Sequence, residues 1–117
     1  MNTNSFFRTT MANSYTTRKF FEKVTSDLHT QLLQWDMQVN VELEEWRSYV
    51  VKVQYLGKNY RVSLSKNEID LLQHESPYAL DKVIWDELVK QGLIIKASEG
   101  NFLQKVFSDQ LLNYRIS

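Results

Sequence analysis

The hydrophobic pattern of this chain changes its period once, near residue 36, and this change constrains the fold more than any other feature. Between residues 16 and 34, apolar side chains recur every three or four positions, which is the spacing of an amphipathic helix. From Val39 to Leu64 they recur at every second position, which is typical of strands with one buried face. The sequence therefore predicts a helix followed by a half-buried sheet.

Two interruptions divide the alternating region into three strands. Gly57-Lys58 suits a two-residue turn, which would place Tyr55 opposite Tyr60. Around Trp46, a loop of three or five residues keeps the apolar faces aligned, with Leu43 facing Tyr49 in the expected register. The result is a three-stranded antiparallel meander. Its predicted apolar face comprises Val39, Val41, Leu43, Tyr49, Val51, Val53, Tyr55, Tyr60, Val62 and Leu64.

Helix signals dominate the chain after the sheet. Residues 65–68 read Ser-Lys-Asn-Glu, a capping box that predicts a short helix. Ser76-Pro77 predicts the start of a longer helix, which Gly92 ends as a left-handed cap. Residues 93–96 could form a short strand, and residues 102–113 fit either a helix or a strand. The predicted fold is α+β: an N-terminal helix, the meander, two helices and a short C-terminal strand or helix.

Length and composition set the domain organisation and exclude several classes of protein. The chain has 117 residues, which predicts one domain over residues 14–117, preceded by a flexible arm over residues 1–13 that is rich in Asn, Thr and Ser. Fourteen basic residues balance fourteen acidic ones, and cysteine is absent. These counts argue against a highly charged nucleic-acid binder and exclude disulfides and thiolate chemistry. Apolar runs are too short to cross a membrane, so we expect a cytoplasmic protein without membrane partners.

The chain carries no recognisable catalytic or cofactor motif. Neither His29 nor His74 lies in a nucleophile or metal-ligand pattern, and the three glycines are all accounted for by turns or caps. The carboxylates at residues 42, 44 and 45 lack the compact loop that a calcium site needs. We therefore expect a protein that is not an enzyme and that holds neither a cofactor nor a metal.

Nucleic-acid binding is the main alternative function. A helix, three strands and a helix is the element order of a double-stranded-RNA-binding domain, and residues 64–107 follow a winged-helix-like order. Basic residues collect around the second hairpin, namely Lys52, Lys58, Arg61 and Lys66. Against this function, the helix predicted from Pro77 starts without basic residues and has a net negative charge, which disfavours contact with phosphates.

Trp46 is the aromatic residue that the alternating pattern does not explain. It lies in a turn between Glu45 and Arg47. Trp and Arg are enriched where binding energy is concentrated, so Glu44, Glu45, Trp46 and Arg47 are the predicted partner-binding residues. The opposing interpretation is that Trp46 folds back and caps the core. By elimination, the predicted function is non-catalytic binding of another protein, as a regulator, adaptor or inhibitor.

Overall fold

The structure is a computed structural model that describes residues 5–107. Its elements follow the order α1 (Ser5–Ser14), α2 (Thr17–Leu33), β1 (Asn40–Glu45), β2 (Tyr49–Tyr55), β3 (Lys58–Leu64), α3 (Lys66–Glu75), α4 (Ala79–Lys90) and α5 (Phe102–Val106). The strands form one antiparallel sheet in the order β1-β2-β3. The α+β class and the meander predicted from the sequence are confirmed.

Local signals account for the helix boundaries. The Thr16 hydroxyl accepts a hydrogen bond from the Lys19 N–H and starts α2. Ser65 and Glu68 form the predicted capping box at the start of α3. Gly92, at φ +109°, ends α4 and lets the Leu93 N–H reach the Leu88 carbonyl at 3.0 Å. The buried Leu93 side chain then packs into the core, as is common after such a cap.

The hydrophobic core lies between one face of the sheet and the helices. On the core face, alternate residues of β2 and β3 are buried, and the stripes of α2 and α4 cover them. Val50, on the opposite face of β2, is buried as well. Trp85 is fully buried and meets the half-buried Trp35 edge to face, with ring centroids 6.1 Å apart. β1, one of the two edge strands, contributes less than predicted: Leu43 is 39% exposed.

The strand register keeps the predicted parity, but both sets of pairs are shifted by two residues. The first loop spans residues 46–48, and Leu43 pairs with Val51 rather than with Tyr49. In the second hairpin Tyr55 pairs with Lys58, so the turn residues are Leu56 and Gly57 rather than Gly57 and Lys58. A shift of two leaves every apolar side chain on the same face, which is why hydrophobic alternation does not distinguish the two registers.

Other differences from the sequence expectations concern residues outside the sheet. Residues 5–14 form a helix where a flexible arm is predicted, since Arg8 and Ala12 are buried against the rest of the chain. α4 begins two residues after Pro77, and residues 93–96 form no strand. α5 covers residues 102–106 of the ambiguous C-terminal segment, whereas residues 108–113 lie outside the described part of the chain.

The Leu56-Gly57 turn makes the first testable prediction. Both residues have positive φ, +48° and +77°, as in a type I′ turn, which favours Asn over Leu at the first position. Since the Leu56 side chain is 56% exposed, Leu56→Asn should raise the free energy of unfolding by about 0.5–1 kcal/mol. Urea denaturation checks this value. Leu71→Asn, at an exposed helical site, is the control and should not stabilise the protein. A less stable Leu56→Asn variant would contradict the prediction.

Candidate functional site

The tip of the β1–β2 hairpin projects a tryptophan into solvent. The Trp46 side chain is 89% exposed. The backbone N–H of Trp46 donates to the Ser48 carbonyl at 3.2 Å, which closes the three-residue loop. The Arg47 guanidinium lies 5.2 Å from the centroid of the Trp46 ring, a cation–π contact. The interpretation of Trp46 as a cap of the core is therefore wrong, and the core tryptophans are Trp35 and Trp85.

Ion pairs hold the base of this hairpin on both faces of the sheet. Glu45 pairs with Arg18 of α2 at 3.2 Å, and Arg18 also bonds Glu22 at 3.1 Å. Glu44 pairs with Lys52 of β2 at 2.5 Å, and this hydrogen bond lowers the pKa of the Glu44 carboxyl below its ordinary value. The pairs orient the hairpin, although exposed pairs of this kind add little stability.

The structure brings all four predicted partner-binding residues to this tip. Glu44 and Glu45 end β1, and Trp46 and Arg47 begin the loop, so the four form a continuous exposed segment. We call these residues the hairpin tip. Its centre is a large amphipathic ring beside an arginine, with acidic residues at the base, and this combination of groups is common at protein interfaces.

The four basic residues of the nucleic-acid alternative do not form one face. Lys52 and Arg61 are cross-strand neighbours on the sheet's polar face. Lys58 instead donates to the Gln91 carbonyl at 2.6 Å, at the end of α4. Lys66 lies in the first turn of α3. Because Lys52 is also paired with Glu44, the set offers little uncompensated positive charge to phosphates.

The polar face of the sheet forms a shallow open cleft of about 360 Å³. Its charged lining residues are Glu42, Lys52 and Arg61, which include both signs. The remaining lining residues are Asn40, Val53, Gln54, Asn59, Tyr60 and Gln91. The cleft is wide open and its charged groups are of both signs, so it lacks the enclosed shape that small-molecule sites usually show.

A buried charge cluster that the sequence does not predict lies where α1 packs against α2 and α4. The guanidinium of Arg8, from α1, pairs with Asp27 of α2 at 2.5 Å and with Asp81 of α4. All three side chains are almost fully buried. Arg8 also donates to the Pro77 carbonyl at 3.3 Å and lies 4.6 Å from the Tyr78 ring centroid. A second cation, Lys23, reaches Asp27 at 3.1 Å, so two positive charges balance the two carboxylates.

This cluster is better explained as a structural device than as a reactive site. Its carboxylates are occupied by Arg8 and Lys23, and neither carboxylate lines the open clefts at the sheet face, beside Pro77 or beside Trp35. The sequence signal for this cluster is that Asp27 and Asp81 each lie next to an apolar residue of the helix stripe, Leu28 and Leu80. Arg8 itself gives no such signal, because the partners of an arginine depend on the tertiary fold.

The cluster predicts an unusual pH dependence of stability. Burial raises the pKa of Asp81 from 3.8 to about 6, although the Arg8 charge opposes this shift. The folded state then binds a proton before the unfolded state does, so this group adds stability as the pH falls from 7 towards 4. The gain at pH 4.5 relative to pH 7 should be about 2 kcal/mol.

Urea denaturation of the parent protein and Asp81→Asn at both pH values isolates this contribution. The difference in unfolding free energy between the two proteins should move in favour of the parent on acidification. A movement in the opposite direction would show that the pKa of Asp81 in the folded state lies below 3.8. Common effects of other carboxylates, such as Glu44, cancel in the difference.

Other side chains capable of catalysis or metal binding are few among residues 5–107. His74 is exposed, and its Nδ1 lies 2.9 Å from the Asp70 carbonyl oxygen, while His29 is half-buried on α2. In this part of the chain no three metal-ligating side chains of the His, Cys, Asp or Glu types converge. Likewise, no helix here is long and apolar enough to span a bilayer.

Comparisons of the chain with family models, with curated proteins and with solved structures find no match.

Proposed function

We propose that this protein binds another protein through the hairpin tip and acts as a non-catalytic regulator, adaptor or inhibitor in the cytoplasm. The observation that carries the proposal is Trp46, which is 89% exposed on a hairpin whose base is held by ion pairs. A large ring with this exposure contributes little to the fold, whereas its burial in a partner would remove a large apolar area from water.

The geometry of the tip reduces the freedom that a partner would have to remove on binding. Trp46 lies in a loop of only three residues, and its ring contacts the Arg47 guanidinium. Ordering a side chain on binding costs free energy, so a preorganised anchor loses less than a mobile one. Glu44, Glu45 and Arg47 surround the ring with charges of both signs, which favour one orientation of a partner.

Nucleic-acid association through Lys52, Lys58, Arg61 and Lys66 remains the second proposal, and the structure offers it less support. Residues 77–91 carry a net negative charge and the whole chain is neutral. Both facts disfavour contact with phosphates. We expect binding to random DNA or RNA to be weak and to be lost near 150 mM salt, since few phosphates would be neutralised. Submicromolar binding at that salt concentration, measured by fluorescence anisotropy, would reverse the order of the two proposals.

Replacing Trp46 with alanine tests the hairpin tip. Trp46→Ala should leave the free energy of unfolding within about 0.5 kcal/mol of the parent value, as expected for an exposed site. It should weaken a complex that uses the tip by roughly 2 kcal/mol or more. Quantitative affinity capture from the native host, followed by binding measurements on the purified partner, provides the two affinities.

Met37→Ala is the matched control for this experiment. Met37 is also 89% exposed but lies before β1, at the opposite end of that strand from Trp46. A partner of the hairpin tip should be lost with Trp46→Ala and retained with Met37→Ala. The proposal is wrong if every captured protein binds both variants equally, or if Trp46→Ala destabilises the fold by about 3 kcal/mol, the value for a core tryptophan.

A further inference from the structure

The two edges of the sheet differ in whether their outer backbone groups are hydrogen-bonded. At the outer edge of β3, the Gln91 amide pairs with the backbone of Arg61: its Nε2 donates to the Arg61 carbonyl at 2.7 Å, and its Oε1 accepts from the Arg61 N–H at 3.1 Å. Lys58 fixes the same corner by donating to the Gln91 carbonyl. Gln91 thus occupies hydrogen-bonding groups that an additional strand would need.

The outer edge of β1 has no comparable cover. Within residues 5–107 no other strand pairs with it, and every residue of β1 except the half-buried Val41 is exposed. Backbone N–H and C=O groups on the outer side of an edge strand are free to pair with an added strand. β1 also runs directly into the hairpin tip, so a segment lying along it would reach Trp46.

We propose that β1 binds an extended segment of the partner protein by strand addition, and that apolar residues alternate with lysine or arginine in this segment. The inference rests on the proposed function, since it names the kind of partner that reaches the hairpin tip. The alternation follows from the two faces of β1.

On the core face of β1, apolar side chains remain partly uncovered. Leu43 is 39% exposed and Val41 is half-buried, so apolar residues of an added strand would cover them from the side. Cross-strand apolar pairs of this kind are a main source of sheet stability. These contacts account for one half of the alternating pattern.

On the polar face of β1, the nearest side chains are acidic. Glu42 accepts a hydrogen bond from the Asn40 amide at 3.1 Å, and Glu44 pairs with Lys52 on the inner side. An added strand would have β1 as its direct neighbour, with Lys52 one strand further away. Its polar-face residues would therefore meet carboxylates first, and positive charges complement them.

A second copy of this chain meets like charges in two of its possible registers on this edge. Antiparallel self-pairing centred on Leu43 would place Glu42 of one copy opposite Glu44 of the other, twice. A parallel in-register pairing would place each glutamate opposite itself. Like charges directly opposite one another destabilise a strand pair, whereas a basic segment complements both glutamates in every register, so the charges of β1 favour a basic partner.

A synthetic peptide tests this inference directly, whatever the natural partner is. The probe is a nine-residue capped peptide in which valine alternates with lysine. We expect it to bind the full chain and to protect β1 amides from hydrogen exchange, as followed by NMR. A control peptide with glutamate in place of lysine should bind at least tenfold more weakly. Two further controls are N-methylated either at every valine nitrogen or at every lysine nitrogen, and the one methylated on the edge that faces β1 should bind at least tenfold more weakly.

Charge reversal on the protein provides the complementary test. Glu42→Lys changes a favourable cross-strand pair into a repulsive one, and should weaken lysine-peptide binding by about tenfold while strengthening glutamate-peptide binding. Ser63→Lys, on the polar face of β3, is the control and should leave both affinities within about threefold.

Three results would overturn strand addition at β1. The first is equal binding of the lysine and glutamate peptides, and the second is undiminished binding of both N-methylated peptides. The third is protection of β1 amides without peptide, accompanied by self-association in sedimentation experiments. The Trp46→Ala capture experiment is independent of these measurements. If capture depends on Trp46 while the peptides fail, the hairpin tip remains the binding site and only the strand mechanism is wrong.

Discussion

Replacing Arg8 with methionine should lower the free energy of unfolding by about 3–5 kcal/mol, the usual cost of removing one partner from a buried ion pair. The substitution leaves Asp27 and Asp81 facing each other in a buried site, where only Lys23 still compensates one of them. For a domain of this size the change corresponds to a fall in Tm of roughly 10–20 °C. Thermal and urea denaturation at pH 7 measure it.

Two further variants separate lost charge from lost packing. Arg18→Met removes an arginine that is 68% exposed, although it forms two ion pairs, and should cost less than about 1 kcal/mol. Adding Asp81→Asn to Arg8→Met removes the carboxylate that the loss of Arg8 leaves uncompensated and should recover part of the stability. If the double variant is no more stable than Arg8→Met, the Arg8 charge is not what holds the cluster together.

Deleting residues 1–13 should have an effect of similar size, about 3 kcal/mol or more. The deletion removes most of α1, whose buried residues are Arg8 and Ala12, and it uncovers the α2 and α4 surfaces beneath them. It also removes the Ala12 carbonyl, to which the buried Gln73 amide donates at 2.8 Å. Sequence reasoning predicts the opposite, because it treats residues 1–13 as a flexible arm.

The free-energy cost of losing α1 sets an upper limit on the cost of Arg8→Met. Once α1 is absent, water reaches Asp27 and Asp81 and the carboxylates are no longer trapped. In Arg8→Met, undocking of α1 provides the same relief, so the substitution cannot cost more than the loss of the helix. Hydrogen exchange of the α1 amides should therefore accelerate in Arg8→Met. A fall in Tm of less than about 8 °C on deletion would show that α1 contributes little to the fold.

The sequence is sufficient to predict α2, the three strands, α3, α4 and the faces of the sheet. Helix α2, the capping box at Ser65 and the cap at Gly92 are local signals, and the structure confirms each of them. Parity along the strands is also local, because a slip of one residue would bury polar side chains. Residue pairs in the hairpins are not determined this way, and the turn at Leu56 uses a residue that rarely adopts positive φ.

Non-local features account for what the sequence does not predict. α1 is held by a buried arginine and by Gln73, not by an apolar stripe: Phe6 and Phe7, its most hydrophobic residues, are 73% and 49% exposed. No pattern within residues 1–13 indicates that two aspartates, 19 and 73 positions away, will enclose Arg8. For Trp46 the sequence leaves two interpretations open, and the structure decides between them by placing the ring in solvent.

The Gln91 amide on β3 also determines how many molecules one sheet can join. Growth of a fibril by strand pairing requires two receptive edges per subunit, one for each neighbour. Gln91 occupies the backbone N–H and C=O of Arg61 at the middle of the β3 edge, which interrupts the hydrogen-bond ladder that a strand added there would need. Under the proposed strand addition, a partner paired at β1 would therefore be the end of the assembly, because β3 would offer the next copy an interrupted template.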